Sequence, residues 1–237
     1  MAVATKSGIY NGYKVIGTQT LGLRGLVLWL KFNEGSGSVA KDSSFYNNHG
    51  TIYGATWTDG KFGKALSFDG VDDYVEVPDS ESLRPQHVTF AIWLKIRTIQ
   101  RSVPIGNIDT SGHDGWGFRI TEEGYLQFMG GTGTASDGWN IPNYTVETDK
   151  WLHWVGVIDG SHKIFYLNGK EYARKDFPYN VSYINDYPFT LGRFPNYNGQ
   201  YFDGIIDEVR IYNRALSENE IKMLYYNRIG AVPSKAI

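Results

Sequence analysis

Two stretches of the sequence combine flat aromatic rings with short amides, the pairing a sugar site requires. A pyranose offers its apolar face to a ring and its hydroxyls to Asn, Asp and backbone groups. The first stretch, residues 131–149, contains Trp139, Asn140, Asn143 and Tyr144. The second, residues 176–201, contains Tyr179, Asn180, Tyr183, Asn185, Tyr187, Asn196, Tyr197 and Asn198. From these, Trp139, Asn140, Tyr144, Tyr179, Tyr183, Asn196, Tyr197 and Asn198 are the candidate ligand-binding residues. Tyrosine and tryptophan also close the ends of hydrophobic cores, so about half of the named aromatics are expected to be packing residues.

Covalent chemistry lacks its usual parts. The chain has no cysteine, which excludes thiol nucleophiles, thiolate zinc sites and a disulfide framework. Its five histidines, at 49, 87, 113, 153 and 162, form no metal-ligand pair at short spacing. No Gly-x-Ser-x-Gly elbow, phosphate-binding glycine loop or dinucleotide fingerprint occurs. His113 lies in a polar loop with Asp109 and Asp114, whereas His153, between Trp151 and Trp154, reads as a strand residue paired to a neighbour.

The elements that must position these residues are short strands. The aromatic content of 15% and the 28 glycines in 237 residues fit many strands joined by tight turns in one large all-β domain. Residues 1–24 read as a leader, linker or peripheral strand, 25–230 as the domain, and 231–237 as a tail. Roughly a dozen strands are expected, from Leu26–Phe32 to Gly204–Tyr212. Along 88–97, Phe90, Ile92, Leu94 and Ile96 share one face as core, while Thr89, Trp93, Lys95 and Arg97 face solvent or a groove. Asp59-Gly60, Asp69-Gly70, Asp159-Gly160 and Asn168-Gly169 suit tight antiparallel connections. Trp29, Trp93, Trp151 and Trp154 are expected to be structural. The one helix is C-terminal: Ser217 and Glu220 have capping-box spacing, and Ile221, Leu224 and Tyr225 form its apolar stripe.

Net charge is −2 with both signs interspersed, so nothing supplies the basic stripe that nucleic acid or an anionic membrane would need. No apolar run is long enough to span a membrane, and residues 1–10 lack a signal-peptide layout. The absence of cysteine favours a microbial or viral source.

Three segments resemble the laminin-G-like, concanavalin A-like jelly-roll domains, which are akin to pentraxins. They are residues 28–37 (LWLKFNEGSG) with Asp42-Ser43-Ser44, residues 63–75 (GKALSFDGVDDYV), and residues 202–217 (FDGIIDEVRIYNRALS). The resemblance implies an antiparallel two-sheet β-sandwich with a short C-terminal helix. It also implies a structural calcium held by Asp42 and Asp207, with Glu34 and Asn47 as further ligands, since this ion prefers six to eight hard oxygens. Two other acidic loops, 69–73 and 109–114, are secondary candidates, although Asp-Gly turns usually need no metal. Retaining glycanases of the superfamily place three acids at alternate positions of one strand. Here Asp72 and Glu76 flank Tyr74, so the middle carboxylate is missing. The expected function is therefore a non-catalytic module that binds a carbohydrate or glycoconjugate, extracellular or on a cell or virion surface. A protein–protein adhesion or structural assembly module is the alternative, and a glycan hydrolase or lyase the third reading.

Overall fold

The computed structural model describes residues 8–10, 13–15, 23–109, 111–134, 137–183, 186–195 and 197–227. Strands β1 (Gly8–Tyr10) and β2 (Tyr13–Val15) make a separate antiparallel hairpin. They are followed by β3 (Leu26–Leu30), β4 (Val39–Ala40), β5 (Gly50–Tyr53), β6 (Thr56–Asp59), β7 (Lys64–Asp69) and β8 (Tyr74–Val77). Next come β9 (Val88–Ile96), β10 (Ser102–Gly106), β11 (Trp116–Ile120), β12 (Tyr125–Gly130) and β13 (Trp139–Thr145). The chain continues through β14 (Trp151–Ile158), β15 (His162–Leu167), β16 (Lys170–Asp176), β17 (Phe189–Leu191) and β18 (Asp203–Tyr212) to the helix α1 (Glu218–Tyr225).

Two eight-stranded antiparallel sheets pack face to face, as the resemblance implies. The first has the order β13-β12-β11-β10-β17-β8-β5-β4, and the second β16-β15-β14-β9-β18-β7-β6 with β3 also on β18. Strand β18 organises the second sheet. One edge pairs with β9, while the other pairs first with β7 and then with β3. Its ladder to β9 shifts between Asp207 and Arg210, where Glu208 has a positive φ of 51°. A bulge of this kind re-aims a strand, here between two successive partners.

Period-2 burial builds the core. Ile52, Val75, Leu191, Ile105, Phe118 and Phe128 stand side by side across the first sheet. Rings from the second sheet meet them: Phe90 stacks on Trp116 at 4.4 Å, and Phe118 packs edge-on against Trp154 and Phe165. Aromatic contacts of this geometry add about 1 kcal/mol each beyond area burial.

The outer face of the second sheet is covered. Ser217 and Glu220 form the capping box their spacing predicts, and Ile221 and Leu224 pack with Ala91, Val155, Ile164 and Tyr212 in a second apolar cluster. The face of β9 expected to meet solvent or a groove is therefore buried around Thr89, Ala91 and Trp93, whose ring stacks on Tyr225 at 5.4 Å. No helix among the described residues is long and apolar enough to cross a membrane.

Four strands of the sandwich were not expected from the sequence: the short β4 and β6, and the longer β10 and β13. Proline in β10 obscured a buried strand, and the ladder absorbs Pro104 at a register shift between Ser102 and Ile105. Strand β13 lies where a loop was expected, because an edge strand exposes its polar residues on one face.

Candidate functional site

The two stretches chosen for their aromatics and amides meet in space. The β12–β13 connection contributes Thr132, Thr134 and Asp137, and the end of β16 with the following chain contributes Lys175, Asp176, Pro178 and Tyr179. Together they line a cleft of about 450 Å³. Tyr179 is 54% exposed, with its ring held edge-on by Phe177 at 5.3 Å and 73°. An exposed ring fixed at its edge keeps a flat face for a ligand.

A buried lysine anchors the cleft. Lys163 on β15 is fully enclosed, and its Nζ donates to the main-chain oxygen of Asp137 and lies 3.1 Å from that residue's Oδ2. The ammonium also sits 4.4 Å from the centre of the Phe177 ring. Burial pushes the Lys163 ammonium down to about 8, against the pull of Asp137. Lys175 Nζ donates to Asp137 Oδ1 at 2.5 Å. Burial opposes ionisation of Asp137, but Lys175 and Lys163 together hold its carboxyl below the usual range. Asp137 is thus an anion clamped between two cations, and it fixes the cleft wall in place.

The individual candidates divide. Tyr179 is a cleft residue. Tyr144 is a core residue, 6% exposed, whose hydroxyl accepts from Trp154 Nε1 at 3.0 Å. Asn143, at φ 55°, breaks the alternation of β13 and so turns Tyr144 inward with Ile141. Tyr183 packs against the core and donates to the Pro85 oxygen, and burial raises its hydroxyl pKa. Trp139 is half-buried on Phe128, so it contributes more to packing than to a ligand surface. Asn140 is exposed, and its Oδ1 accepts from Gln127. Tyr197 is 40% exposed and edge-packed on Phe194, while Asn198 accepts from the Tyr201 hydroxyl. Neither lines the cleft, and Asn196 lies outside the described residues. Sequence reasoning missed Thr132, Thr134, Asp137, Lys175, Asp176 and Pro178 as wall residues, since none carries a signal beyond its place in a polar stretch.

The expected calcium ligands also divide. Asp42 Oδ1 accepts from Trp29 N and Ser44 N, and its Oδ2 from Ser44 Oγ and Asn48 N. Four protein donors saturate a carboxylate, so Asp42 organises the turn through its side chain. Asn47 is exposed at φ 57°, and the neighbouring Asn48 takes the buried place beside Asp42. Asp207 and Glu34 differ from these two. Asp207 Oδ2 accepts from Phe62 N, and Glu34 Oε1 from Lys41 N, while Asp207 Oδ1 and Glu34 Oε2 are buried without a partner. Asp207 thus holds the turn between β6 and β7, and Asn33, next to Glu34 in the chain, accepts from Lys64 N at the start of β7. Burial raises the Asp207 carboxyl to about 7, as expected for an oxygen left without a counter-charge. An unfilled carboxylate oxygen is what a hard cation binds, whereas both oxygens of Asp42 are taken by protein donors.

Elsewhere, the ligand atoms of Asp69, Asp72 and Asp73 lie within 4.8 Å of one another. Asp69 Oδ1 accepts from Val71 N and Asp72 N, and Asp73 Oδ2 from Asp69 N, which accounts for this cluster as a self-bonded turn. In the 109–114 loop, Asp109 accepts from Ser111 and Asp114 N. His153, read as paired, is fully buried with no partner at either ring nitrogen among the described residues. It packs on Trp93 at 5.0 Å.

A two-sheet antiparallel sandwich with a polar cleft at which an aromatic ring stands exposed is a lectin-like jelly roll. The chain belongs to the concanavalin A-like lectin/glucanases superfamily: the Laminin_G_3 family model matches residues 69–222. Solved structures agree in fold. Domain 4 of AbnA, an extracellular arabinanase of Geobacillus stearothermophilus in complex with arabinotriose, is 22% identical with a TM-score of 0.67, over 84% of this chain and 98% of that one. The binding domain of Paraclostridial Mosquitocidal Protein 1 is 18% identical with a TM-score of 0.70, over 86% of this chain and 52% of that one. Trypanosoma rangeli sialidase in complex with the inhibitor DANA is 17% identical with a TM-score of 0.62, and the match spans 87% of this chain but only 34% of the sialidase. The fold is thus shared by binding domains and by an enzyme. A search of curated protein sequences returned no match.

Proposed function

We propose that this protein is a non-catalytic glycan-binding module that acts outside the cell and takes its ligand in the cleft at Tyr179. The observation that carries this reading is the exposed, edge-anchored Tyr179 ring set among the hydroxyls of Thr132 and Thr134 and the carboxylates of Asp137 and Asp176. Such a set matches a sugar, with a ring for its apolar face and short polar groups for its hydroxyls. The complex of a similar domain with arabinotriose supports the same ligand class. Glycoside hydrolysis requires one carboxylic acid that stays protonated near neutral pH. Asp137, clamped by two lysines, is driven the other way and so is not that acid.

Calcium belongs to this reading as a structural ion at Glu34 and Asp207, where it would tie the loop after β3 to β18. Its expected effect is a higher melting temperature in calcium than in chelator, abolished in Asp207→Asn.

A glycan array in calcium, repeated with chelator, tests the function. Reproducible hits that Tyr179→Ala removes, with an unchanged melting curve, support the cleft. A blank array, or hits untouched by Tyr179→Ala, overturns it and turns the search toward a protein partner.

A further inference from the structure

A second cleft lies on the open face of the first sheet, around the β11–β12 hairpin. It has a volume of about 260 Å³ and is lined by Arg101, Arg119, Thr121, Glu122, Glu123 and Gln127. Arg119, Gln127 and Asn140 are direct cross-strand neighbours on β11, β12 and β13. Arg119 Nε donates to Gln127 Oε1, and Gln127 Nε2 to Asn140 Oδ1, both at 2.6 Å. This ladder fixes the plane of the guanidinium through Nε and leaves its two terminal nitrogens without an acceptor among the described residues.

Arg119 has no ion-pair partner of its own, although Glu122 and Glu123 share the lining. Arg119 is half-buried and takes part in no ion pair among the described residues, in contrast to Arg84, Arg97, Arg174, Arg193, Arg210 and Arg214. Burial and the neighbouring Arg101 both lower its pKa, and no carboxylate offsets them. Glu123 is drawn to the Thr121 hydroxyl and to its own backbone, with Arg101 adding a weaker pull. The planar fork of an arginine with free terminal nitrogens matches a carboxylate bidentately, and a second guanidinium lines the same cleft.

We infer that this cleft binds the carboxylate of an acidic sugar, with Arg119 as the bidentate anchor, Arg101 as a second cation, and Thr121 and Gln127 available to ring hydroxyls. The ligand class rests on the glycan-binding reading, but the cleft is separate from that of Tyr179, so the two can fail independently. Glu122 and Glu123 in the same lining oppose an anion, and Glu122→Gln is expected to tighten binding.

The test is an NMR titration of the labelled protein with a uronic-acid disaccharide, its neutral hexose counterpart, its sulfated counterpart and inorganic sulfate. The expected result is that the uronic-acid probe shifts the amides of residues 119–127 and weakens at high salt. Arg119→Gln should reduce its affinity, read from the shifts at residues 119–127, at least tenfold, and Arg101→Gln should do so less. Arg101 is exposed, so its variant tests the site even if Arg119→Gln disturbs the sheet. Equal binding of the neutral probe, no shift at residues 119–127, or an affinity no better than that of sulfate would overturn the assignment. Preference for the sulfated sugar would overturn the choice of carboxylate.

Discussion

The outer faces of the two sheets differ sharply. That of the second sheet lies under α1 and carries a continuous apolar cluster from Leu26 to Leu224, with Trp93, His153 and Arg210 buried beside it. That of the first sheet lacks such a cover at β11–β13 and displays Arg119, Gln127 and Asn140. The covered face works as a second core, so its residues answer to stability. The open face and the neighbouring Tyr179 cleft are free to answer to ligands. In a fold whose members have many roles, this division separates packing aromatics from those left open to solvent.

Four predictions bear on that division, from the largest effect on stability to the smallest. Leu224→Ala on the covered face should cost about 2–5 kcal/mol, seen as a lower denaturant midpoint, while the folded protein keeps its glycan hits. A change below about 0.5 kcal/mol would mean that the helix is not a cover. On the same face, burial, with the Arg210 charge adding to it, lowers His153 to about 3 from 6.5. The unfolded chain therefore takes up a proton that the folded one refuses as pH falls from 6.5 toward 3, so stability declines over that window. Urea melts at pH 7 and pH 4.5 should show a smaller loss in His153→Leu than in the parent.

Tyr144→Phe should cost about 1–3 kcal/mol by leaving Trp154 Nε1 unpaired in the core, with no effect on glycan binding. A loss of binding at unchanged stability would return Tyr144 to the site. Tyr179→Ala should fall within about 0.5 kcal/mol of the parent in a thermal melt, as an exposed ring should. A larger loss would make Tyr179 part of the core.

Much of the fold was legible because neighbouring residues carry the signal. The alternation of Phe90, Ile92, Leu94 and Ile96 and the capping box of Ser217 and Glu220 depend only on spacing, and both elements formed as read. Strand β13 was not legible, since its inward residues, Ile141 and Tyr144, are three apart rather than two. The positive φ of Asn143 shifts the pleat, and an asparagine in a polar stretch looks the same whether it sits in a loop or a bulged strand. The candidate cleft draws on both stretches, but choosing among their aromatics required knowing which rings the opposite sheet covers.

The sequence by itself determined the all-β class, the capped C-terminal helix and the family segments, because strand period, turn chemistry and helix caps are local properties. Only the tertiary structure decided that Asp42 spends its carboxylate on backbone donors while Asp207 and Glu34 keep an oxygen unfilled. It also decided that Lys163 reaches from one sheet to clamp Asp137 beside the other, and that Arg119 has no ion-pair partner among the described residues. Whether a polar side chain is paired or available depends on groups distant in the chain, and folding alone brings those groups within a hydrogen bond of one another.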